Sequence, residues 1–198
     1  MSDRLVWYAA YGSNLSRDRF LLYLLGGRPG TGQQPHAGAG DRTPPRGEAV
    51  VRIPGVMGFA GASLRWSGGT SVLHHEAPGR SISRLWLLTA GQLADVAAQE
   101  CGLEPGALGI DLEEVVGRRS VVVSPRRYGR MVHLGDRAGS PVVTMTSPRP
   151  APPSAPGSAY LDVVRAGLEE CGLGAAEIDA YLVRRPGFVD RGAGEGGR

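Results

Sequence analysis

Lysine is absent from this 198-residue sequence, and all 22 of its basic residues are arginine. Glycine, alanine and proline are abundant as well, a composition typical of a GC-rich genome. The net charge is only +3, because 19 acidic residues are interleaved with the basic ones. Nucleic-acid binding needs basic residues clustered on one face. The sequence therefore predicts no nucleic-acid partner.

Cysteine and long apolar runs are also scarce. Cys101 and Cys171 are too few for a disulfide framework and lack the paired spacing of a metal knuckle. We expect both to be buried apolar side chains. The apolar runs fall short of a membrane span, and Met1 to Arg4 leads into a strand-like run without a secretory leader pattern. We therefore expect a cytoplasmic protein with no membrane partner.

The length and the composition, 41% apolar and 21% charged, suit one soluble globular domain. We predict a single domain over residues 4–186 and a flexible tail over 187–198. Strands are expected at 4–10, 49–53, 56–66, 71–74, 82–88, 118–124, 128–134 and 141–146, and helices at 16–25, 89–101, 158–171 and 175–184. Loops cover 28–47 and 147–157, and Gly68-Gly69 is expected to form a turn. This order predicts an α+β fold, with a barrel as one arrangement of the strands.

Glu100 stands out on the predicted helix 89–101. With Leu93 at zero on a helical wheel of about 100° per residue, Val96 falls at about −60° and Ala97 at about +40°. Glu100 falls at about −20°, in the middle of this apolar stripe. Burying an ionised carboxylate is costly unless it is paired, so two interpretations stand. Glu100 forms a buried ion pair with an arginine, or it is a functional carboxyl with a raised pKa.

The loop from Tyr11 to Leu15 joins the end of the first strand to the start of the first helix. Backbone N–H groups converge in such a loop and bind anions, including a ligand carboxylate. Gly12 would allow a close backbone approach, and Ser13 and Asn14 would add side-chain hydrogen bonds. Without further support, the same four residues also fit an ordinary turn before a helix.

Four segments resemble the γ-glutamyl cyclotransferase-like (AIG2-like) superfamily, and the chain is identified as a bacterial member. The residues Tyr8 to Leu15 (YAAYGSNL) resemble its substrate loop, and Gln99-Glu100 resembles its catalytic pair. In the same order, Ser63 to Gly69 resembles the Ser-x-x-Trp-x-Gly-Gly hairpin, and Pro153 to Tyr160 resembles the closing Pro-Ser-x-x-Tyr region. The resemblance runs from about Leu5 to Leu182.

This resemblance implies a small mixed-sheet β-barrel flanked by helices, with Glu100 as catalytic base. The substrate-binding residues that it implies are Tyr8, Tyr11, Gly12, Ser13, Asn14, Leu15, Trp66 and Tyr160. The implied substrate is a small-molecule γ-glutamyl amide whose α-amine attacks its own γ-carbonyl, releasing 5-oxoproline and a free amine. Such a reaction needs no cofactor and no metal. The protein is expected to be a monomer or a homodimer.

Three departures from the family pattern surround Glu100. Arg84 to Leu88 replaces a Gly-Val-x-Tyr-like strand, Cys101 stands where glycine is expected, and no aromatic residue occurs over 102–109. These changes predict a remodelled pocket wall. They make glutathione-derived dipeptides a poor expectation for the substrate.

Other chemistries have weaker support. His74-His75-Glu76 invites a zinc site, including that of a deacetylase, but adjacent strand residues point to opposite faces. Ser13 lacks the Gly-x-Ser-x-Gly elbow of a serine hydrolase, and Cys101 has no evident histidine partner. Two alternatives stay open: hydrolysis, amide transfer or deprotection in the same pocket, and a non-catalytic ligand-binding domain.

Overall fold

The computed structural model describes residues 4–29 and 35–189. The strands in these ranges are β1 (Leu5–Ala10), β2 (Gly47–Pro54), β3 (Val56–Ser63), β4 (Gly68–His74), β5 (Arg80–Thr89), β6 (Ser120–Val122), β7 (Arg130–Arg137) and β8 (Ser140–Thr146). The helices are α1 (Arg17–Leu25), α2 (Ala90–Glu100), α3 (Leu112–Arg118), α4 (Ser158–Glu170) and α5 (Ala175–Leu182), with a single 3-10 turn at Ser13–Leu15.

Strand β1 lies inside a six-stranded mixed sheet of order β2-β5-β1-β8-β7-β6. It pairs antiparallel with β5 and parallel with β8. Because strand side chains alternate between faces, Val6, Tyr8 and Ala10 join one apolar cluster, while Trp7 and Ala9 join another. The first strand therefore belongs to both cores.

Different elements cover the two faces of the sheet. The cluster around Tyr8 includes apolar residues of α1, α2 and α3, among them Phe20, whose ring stacks on Trp86 with centroids 4.6 Å apart. The cluster around Trp7 includes residues of α4, α5 and the β3-β4 hairpin, which forms a separate two-stranded sheet. The predicted α+β class, with a mixed sheet and flanking helices, is confirmed. Within the described ranges the sheet is open rather than closed into a barrel, with β2 and β6 at its edges.

The turn predicted at Gly68-Gly69 is wrong. Both glycines begin β4, and the turn lies at residues 64–67. The glycines are needed because the segment at 154–157 packs against this strand. A Cβ on Gly68 would come within 2.6 Å of the Ala155 carbonyl oxygen, and one on Gly69 would meet the Ser154 carbonyl.

Helix α3 was not predicted, because its seven residues present too short an apolar pattern. The N-cap of this helix is Asp111, whose side chain accepts hydrogen bonds from the backbone amides of Glu113 and Glu114. None of the helices within the described ranges is long and apolar enough to cross a membrane.

Two predictions fall partly outside the described residues. The loop expected at 28–47 includes residues 30–34, and the tail expected at 187–198 includes residues 190–198. Within the described part of that tail, the ring of Phe188 lies 6.4 Å from that of Phe59, centroid to centroid. The single domain and its flexible tail stay predictions.

Candidate functional site

The backbone at Asn14 and Leu15 is held by side chains from β5. Trp86 Nε1 donates to the Asn14 carbonyl over 3.1 Å, and Arg84 Nη1 donates to the Leu15 carbonyl over 2.9 Å. Arg84 also forms a 2.6 Å ion pair with Glu170 on α4. The strand segment Arg84 to Leu88, which departs from the family pattern, therefore supports the backbone of the loop. Neither Arg84 nor Trp86 lines the two cavities described below.

Gly12 is required by its neighbours in the fold. Its φ of −124° is open to any residue. An added Cβ, however, would lie 2.8 Å from Ser71 Cβ and 3.0 Å from the Tyr160 hydroxyl. Real Cβ atoms do not approach so closely, so glycine here lets the loop lie directly against β4 and α4.

Three consecutive backbone amides of the loop are available to a ligand. Within the described residues, the N–H groups of Gly12, Ser13 and Asn14 have no hydrogen-bond acceptor. The Leu15 amide instead donates to the Gly12 carbonyl over 3.0 Å, and the Leu15 side chain is fully buried in the core. The role of Leu15 in substrate binding stays a prediction, although its amide and its side chain are both used by the fold.

The Glu100 carboxylate lies at the C-terminal end of α2, where Oε1 accepts a 2.7 Å hydrogen bond from Asn14 Nδ2. Burial raises the pKa of the Glu100 carboxyl, against the positive charge of Arg19, hydrogen bonds from Asn14 and Tyr23, and the charge of Arg65. No arginine within residues 4–29 and 35–189 approaches Glu100 to ion-pair distance. The geometry favours the functional interpretation of this carboxylate over the buried ion pair.

Glu100 and the loop line one narrow inner cavity of about 30 Å³. The predicted site residues that line it are Tyr8, Tyr11, Gly12, Ser13, Asn14, Glu100 and Tyr160. Two buried polar atoms of its lining, Asn14 Oδ1 and Ser71 Oγ, have no partner in the described structure. Buried polar groups are nearly always hydrogen-bonded, so these two atoms are open to hydrogen bonds with a ligand or a water in the cavity.

The hydroxyl groups of the predicted tyrosines form hydrogen bonds within the wall of the inner cavity. Tyr11 donates to the Met145 carbonyl over 2.7 Å, and Tyr160 accepts from the Ser71 amide over 3.0 Å. Tyr8 accepts from Asn14 Nδ2 over 3.3 Å. Burial raises the pKa of Tyr8, Tyr11 and Tyr160, so all three keep their hydroxyl protons at neutral pH.

Tyr128 and Ser71 belong to this wall and were missed by the sequence analysis. The Tyr128 hydroxyl donates to the Ser71 carbonyl over 2.9 Å and lies 2.7 Å from Thr70 Oγ1. Tyr128 has a φ of 64°, which is rare for a bulky residue, and such conformations cluster at functional sites. The segment was predicted as strand, which hid the turn that places this ring.

A wider outer cavity of about 230 Å³ adjoins the inner one and shares Ser13, Glu100, Tyr128 and Tyr160 with it. Trp66 lines this outer cavity, with its ring 5.2 Å from that of Tyr160. The sequence analysis missed the other prominent side chains here, which are Arg19, Tyr23, Arg65 and Arg127. The sequence signal for two of these residues is the helical spacing of Arg19 and Tyr23, which lie four positions apart.

The alternative nucleophile and metal residues do not come together at this site. His74 is exposed and His75 half-buried, and both line a separate cavity beside Arg149. Within residues 4–29 and 35–189, no group of three or more His, Cys, Asp and Glu side chains is arranged to hold a metal ion. Cys101 is buried, as predicted, and burial raises the pKa of its thiol, while Cys171 is half-buried.

Comparison with known proteins finds a sequence relative and solved structures with a similar fold. No family model matches the sequence. Histone deacetylase 5 of Arabidopsis thaliana is 30% identical over 198 residues, a match that covers 89% of this chain. The chain spans only 30% of that protein's length, so the name histone deacetylase is not transferred to this chain.

Two solved structures share the fold. A γ-glutamyl cyclotransferase superposes with a TM-score of 0.54 at 16% identity. The human uncharacterized protein LOC79017 superposes with a TM-score of 0.53 at 17% identity. Each match covers 90% of this chain and 86% of the other. At these identities the likeness shows the fold alone: the chain has the fold of γ-glutamyl cyclotransferase. The bacterial origin stays a prediction.

Proposed function

We propose that this protein cleaves a γ-glutamyl amide by intramolecular attack of the substrate's α-amine, releasing 5-oxoproline and a free amine. The observation that carries the proposal is the position of Glu100. Its carboxyl, whose pKa burial raises, shares one cavity with three unpaired loop amides at Gly12, Ser13 and Asn14. A base and a set of anion-binding donors are the two components that this reaction needs.

The raised pKa suits the proton transfer. An α-ammonium group has a pKa of about 8 and an ordinary glutamate about 4.3, a mismatch of about 5 kcal/mol. An exposed glutamate would therefore be a poor base for the amine. Burial of Glu100 reduces this mismatch, and the Asn14 hydrogen bond fixes one carboxylate oxygen.

The reaction would begin at the α-amine of the substrate. Glu100 takes a proton from the α-ammonium group, and the freed nitrogen attacks the γ-carbonyl carbon. The carbonyl π electrons move to the oxygen, and loop amides or the Tyr8 hydroxyl stabilise this oxyanion. The intermediate collapses, the bond to the leaving nitrogen breaks, and Glu100 returns its proton to the departing amine. The ring nitrogen loses its remaining extra proton to solvent.

The two cavities suit the two parts of such a substrate. Glu100 and the loop line the narrow inner cavity, and the reacting end of the glutamyl group would be bent against them for ring closure. The wider outer cavity begins at the same carboxylate, and there the leaving amine would lie.

The test is release of 5-oxoproline from a panel of γ-glutamyl amides by the purified protein, followed by mass spectrometry. Glu100→Gln should lower kcat by about a hundredfold or more, because amide nitrogen cannot serve as the base. Glu104→Gln is the matched control, since Glu104 is exposed four positions further along and lines neither cavity.

Different products would identify the alternatives. Free glutamate in place of 5-oxoproline would indicate hydrolysis, and a new γ-glutamyl amide with added amines would indicate transfer. Binding without any product, unchanged by Glu100→Gln, would indicate a ligand-binding domain. Full turnover by Glu100→Gln would exclude the proposed base.

A further inference from the structure

The outer cavity carries an excess of positive charge. Arg19, Arg65 and Arg127 line it, and Glu100 is the only carboxylate in its lining. Within the described residues none of the three arginines forms an ion pair with an acidic side chain. Three guanidinium groups against one carboxylate leave two positive charges without a partner around a space large enough for a small molecule.

Arg19 is the least accessible of the three, with 7% of its surface exposed. Its Nη1 lies 2.6 Å from His36 Nε2, and its Cζ lies 5.3 Å from the centroid of the Tyr23 ring. Its Nε is buried and has no partner in the described structure. Burying a charge is costly unless it is compensated, and the Glu100 carboxylate compensates Arg19 only in part. A cation held this firmly, with a donor to spare, is arranged for an anion that comes from outside the fold.

His36 supports the same interpretation. Burial and the charges of Arg19 and Arg65 lower the pKa of His36 to about 4. At neutral pH the ring is therefore uncharged, and its Nε2 accepts a hydrogen bond from Arg19 rather than repelling it. The histidine orients the guanidinium without cancelling its charge.

The other two arginines extend the positive wall toward solvent. Arg65 is exposed at the mouth, with its guanidinium 5.5 Å from the Trp66 ring centroid. Arg127 is half-buried, and its Nη2 donates to the Ala60 carbonyl over 2.6 Å. Its other N–H groups have no acceptor among the described residues. Guanidinium groups bind carboxylate and phosphate oxygens through paired hydrogen bonds, so this arrangement fits a group with several anionic oxygens.

We propose that the outer cavity selects γ-glutamyl amides whose leaving amine carries two negative charges, as a phosphomonoester or as two carboxylates. This inference rests on the proposed function, because it assigns the part of the substrate that leaves. A dianion matches the two uncompensated charges. A neutral amine leaves them unpaired, and a cationic amine is repelled by them.

The experiment compares four γ-glutamyl amides with matched leaving groups. Ethylamine is neutral, alanine adds one carboxylate, aspartate adds two, and O-phosphoethanolamine carries the dianionic phosphate. The inference predicts that kcat/KM rises with each added charge, by about tenfold or more from ethylamine to the better dianion. The two dianionic arms distinguish a phosphate site from a dicarboxylate site.

Variants assign the effect to the cavity. Arg65→Gln and Arg127→Gln should each raise KM for the dianionic amide about fivefold to tenfold more than they raise KM for the ethylamide. Arg149→Gln, which removes an exposed arginine beside a different cavity, is the matched control and should change neither substrate. Arg19 is not replaced, because its loss would also remove the partner of His36.

Binding to Glu100→Gln separates this inference from the proposed function. Calorimetric titration of that variant should show tighter binding of the dianionic amide than of the ethylamide, and Arg65→Gln should reduce the difference. Equal binding of both amides would overturn the inference even if 5-oxoproline is released. Selective binding of the dianion without release of 5-oxoproline by the native protein would instead overturn the proposed function.

Discussion

The side-chain amide of Asn14 donates a 2.7 Å hydrogen bond to the carboxylate of Glu100, a residue 86 positions away. The oxygen of the same amide is buried and has no partner in the described structure. A reversed amide would place oxygen against the carboxylate oxygen, so the contact itself fixes the orientation. Asn14 thus presents a donor to Glu100 and an acceptor to whatever enters the cavity.

Replacing Asn14 by leucine should raise the pKa of Glu100 further, because the Asn14 hydrogen bond is one of the interactions that lower it. The rising limb of kcat/KM against pH should move to higher pH, with a loss of about tenfold at neutral pH. An NMR titration of the Glu100 carboxyl carbon measures the same shift without any turnover. Tyr23→Phe, which removes a second lowering interaction, should act in the same direction. A titration curve unchanged in Asn14→Leu would contradict this role.

Glu100→Gln should stabilise the protein at neutral pH. The pKa of Glu100 is raised in the folded state, so the folded state binds this proton more tightly than the unfolded state does. The free energy of unfolding therefore decreases as pH rises from the unfolded pKa through the raised folded pKa. Glu100→Gln has no carboxyl group that causes this decrease in stability. At pH values above the folded pKa of Glu100, the variant should therefore melt a few degrees higher than the native protein.

Melting temperatures measured across pH check this prediction. The difference between Glu100→Gln and the native protein should disappear at acid pH, where Glu100 is protonated in both states. Glu104→Gln, at an exposed position, should follow the native curve. A variant less stable than the native protein at every pH would show that Glu100 supports the fold instead.

Gly12→Ala should destabilise the protein by about 1–3 kcal/mol, the usual cost of overpacking. The added Cβ would lie 2.8 Å from Ser71 Cβ and 2.9 Å from Ser71 Oγ. Ser71→Gly in the same chain removes both atoms and should recover part of the loss. Chemical denaturation measures all three variants. Gly117→Ala, where an added Cβ meets nothing within 4 Å, is the control and should not destabilise. An equal loss at both glycines would contradict the steric explanation.

The protein should lose stability as pH falls from about 6.5 to 4, partly through His36. The pKa of His36 is lowered from 6.5 to about 4, so between these values the unfolded state binds a proton that the folded state excludes. The contribution of His36 to the free energy of unfolding is complete above its unfolded pKa of 6.5. It decreases as the pH falls from 6.5 to about 4. His36→Gln keeps an acceptor for Arg19 but cannot be protonated, and it should flatten the acid side of the melting curve. His74→Gln, at an exposed position, is the control.

The sequence allowed the first loop and Glu100 to be placed correctly because both depend on local patterns. The Thr89 and Gln92 capping box fixes where α2 begins, and helical periodicity then places Glu100 on the buried side. The first strand was equally clear, because its apolar run ends at a turn. No long-range information was needed for any of these.

The parts that were missed depend on packing between distant segments. Tyr128 reaches Ser71 across 57 positions through a turn with a left-handed residue, and a strand pattern concealed that turn. Packing between distant segments also explains the wrong prediction at Gly68-Gly69. Glycine is needed there because a neighbouring segment packs against the strand, and not because the chain turns. Leu15 was assigned to the substrate by its place in a motif, and this role stays a prediction, although its amide and side chain are used within the fold.

The central position of β1 has a consequence for synthesis on the ribosome. Its two partners, β5 and β8, are translated well after it, and the cavity wall is completed only by Tyr160 on α4. Residues emerge from the ribosome at about 5–20 per second. The first strand must therefore wait several seconds for the segments that cover it, and the inner cavity is incomplete until α4 has been translated.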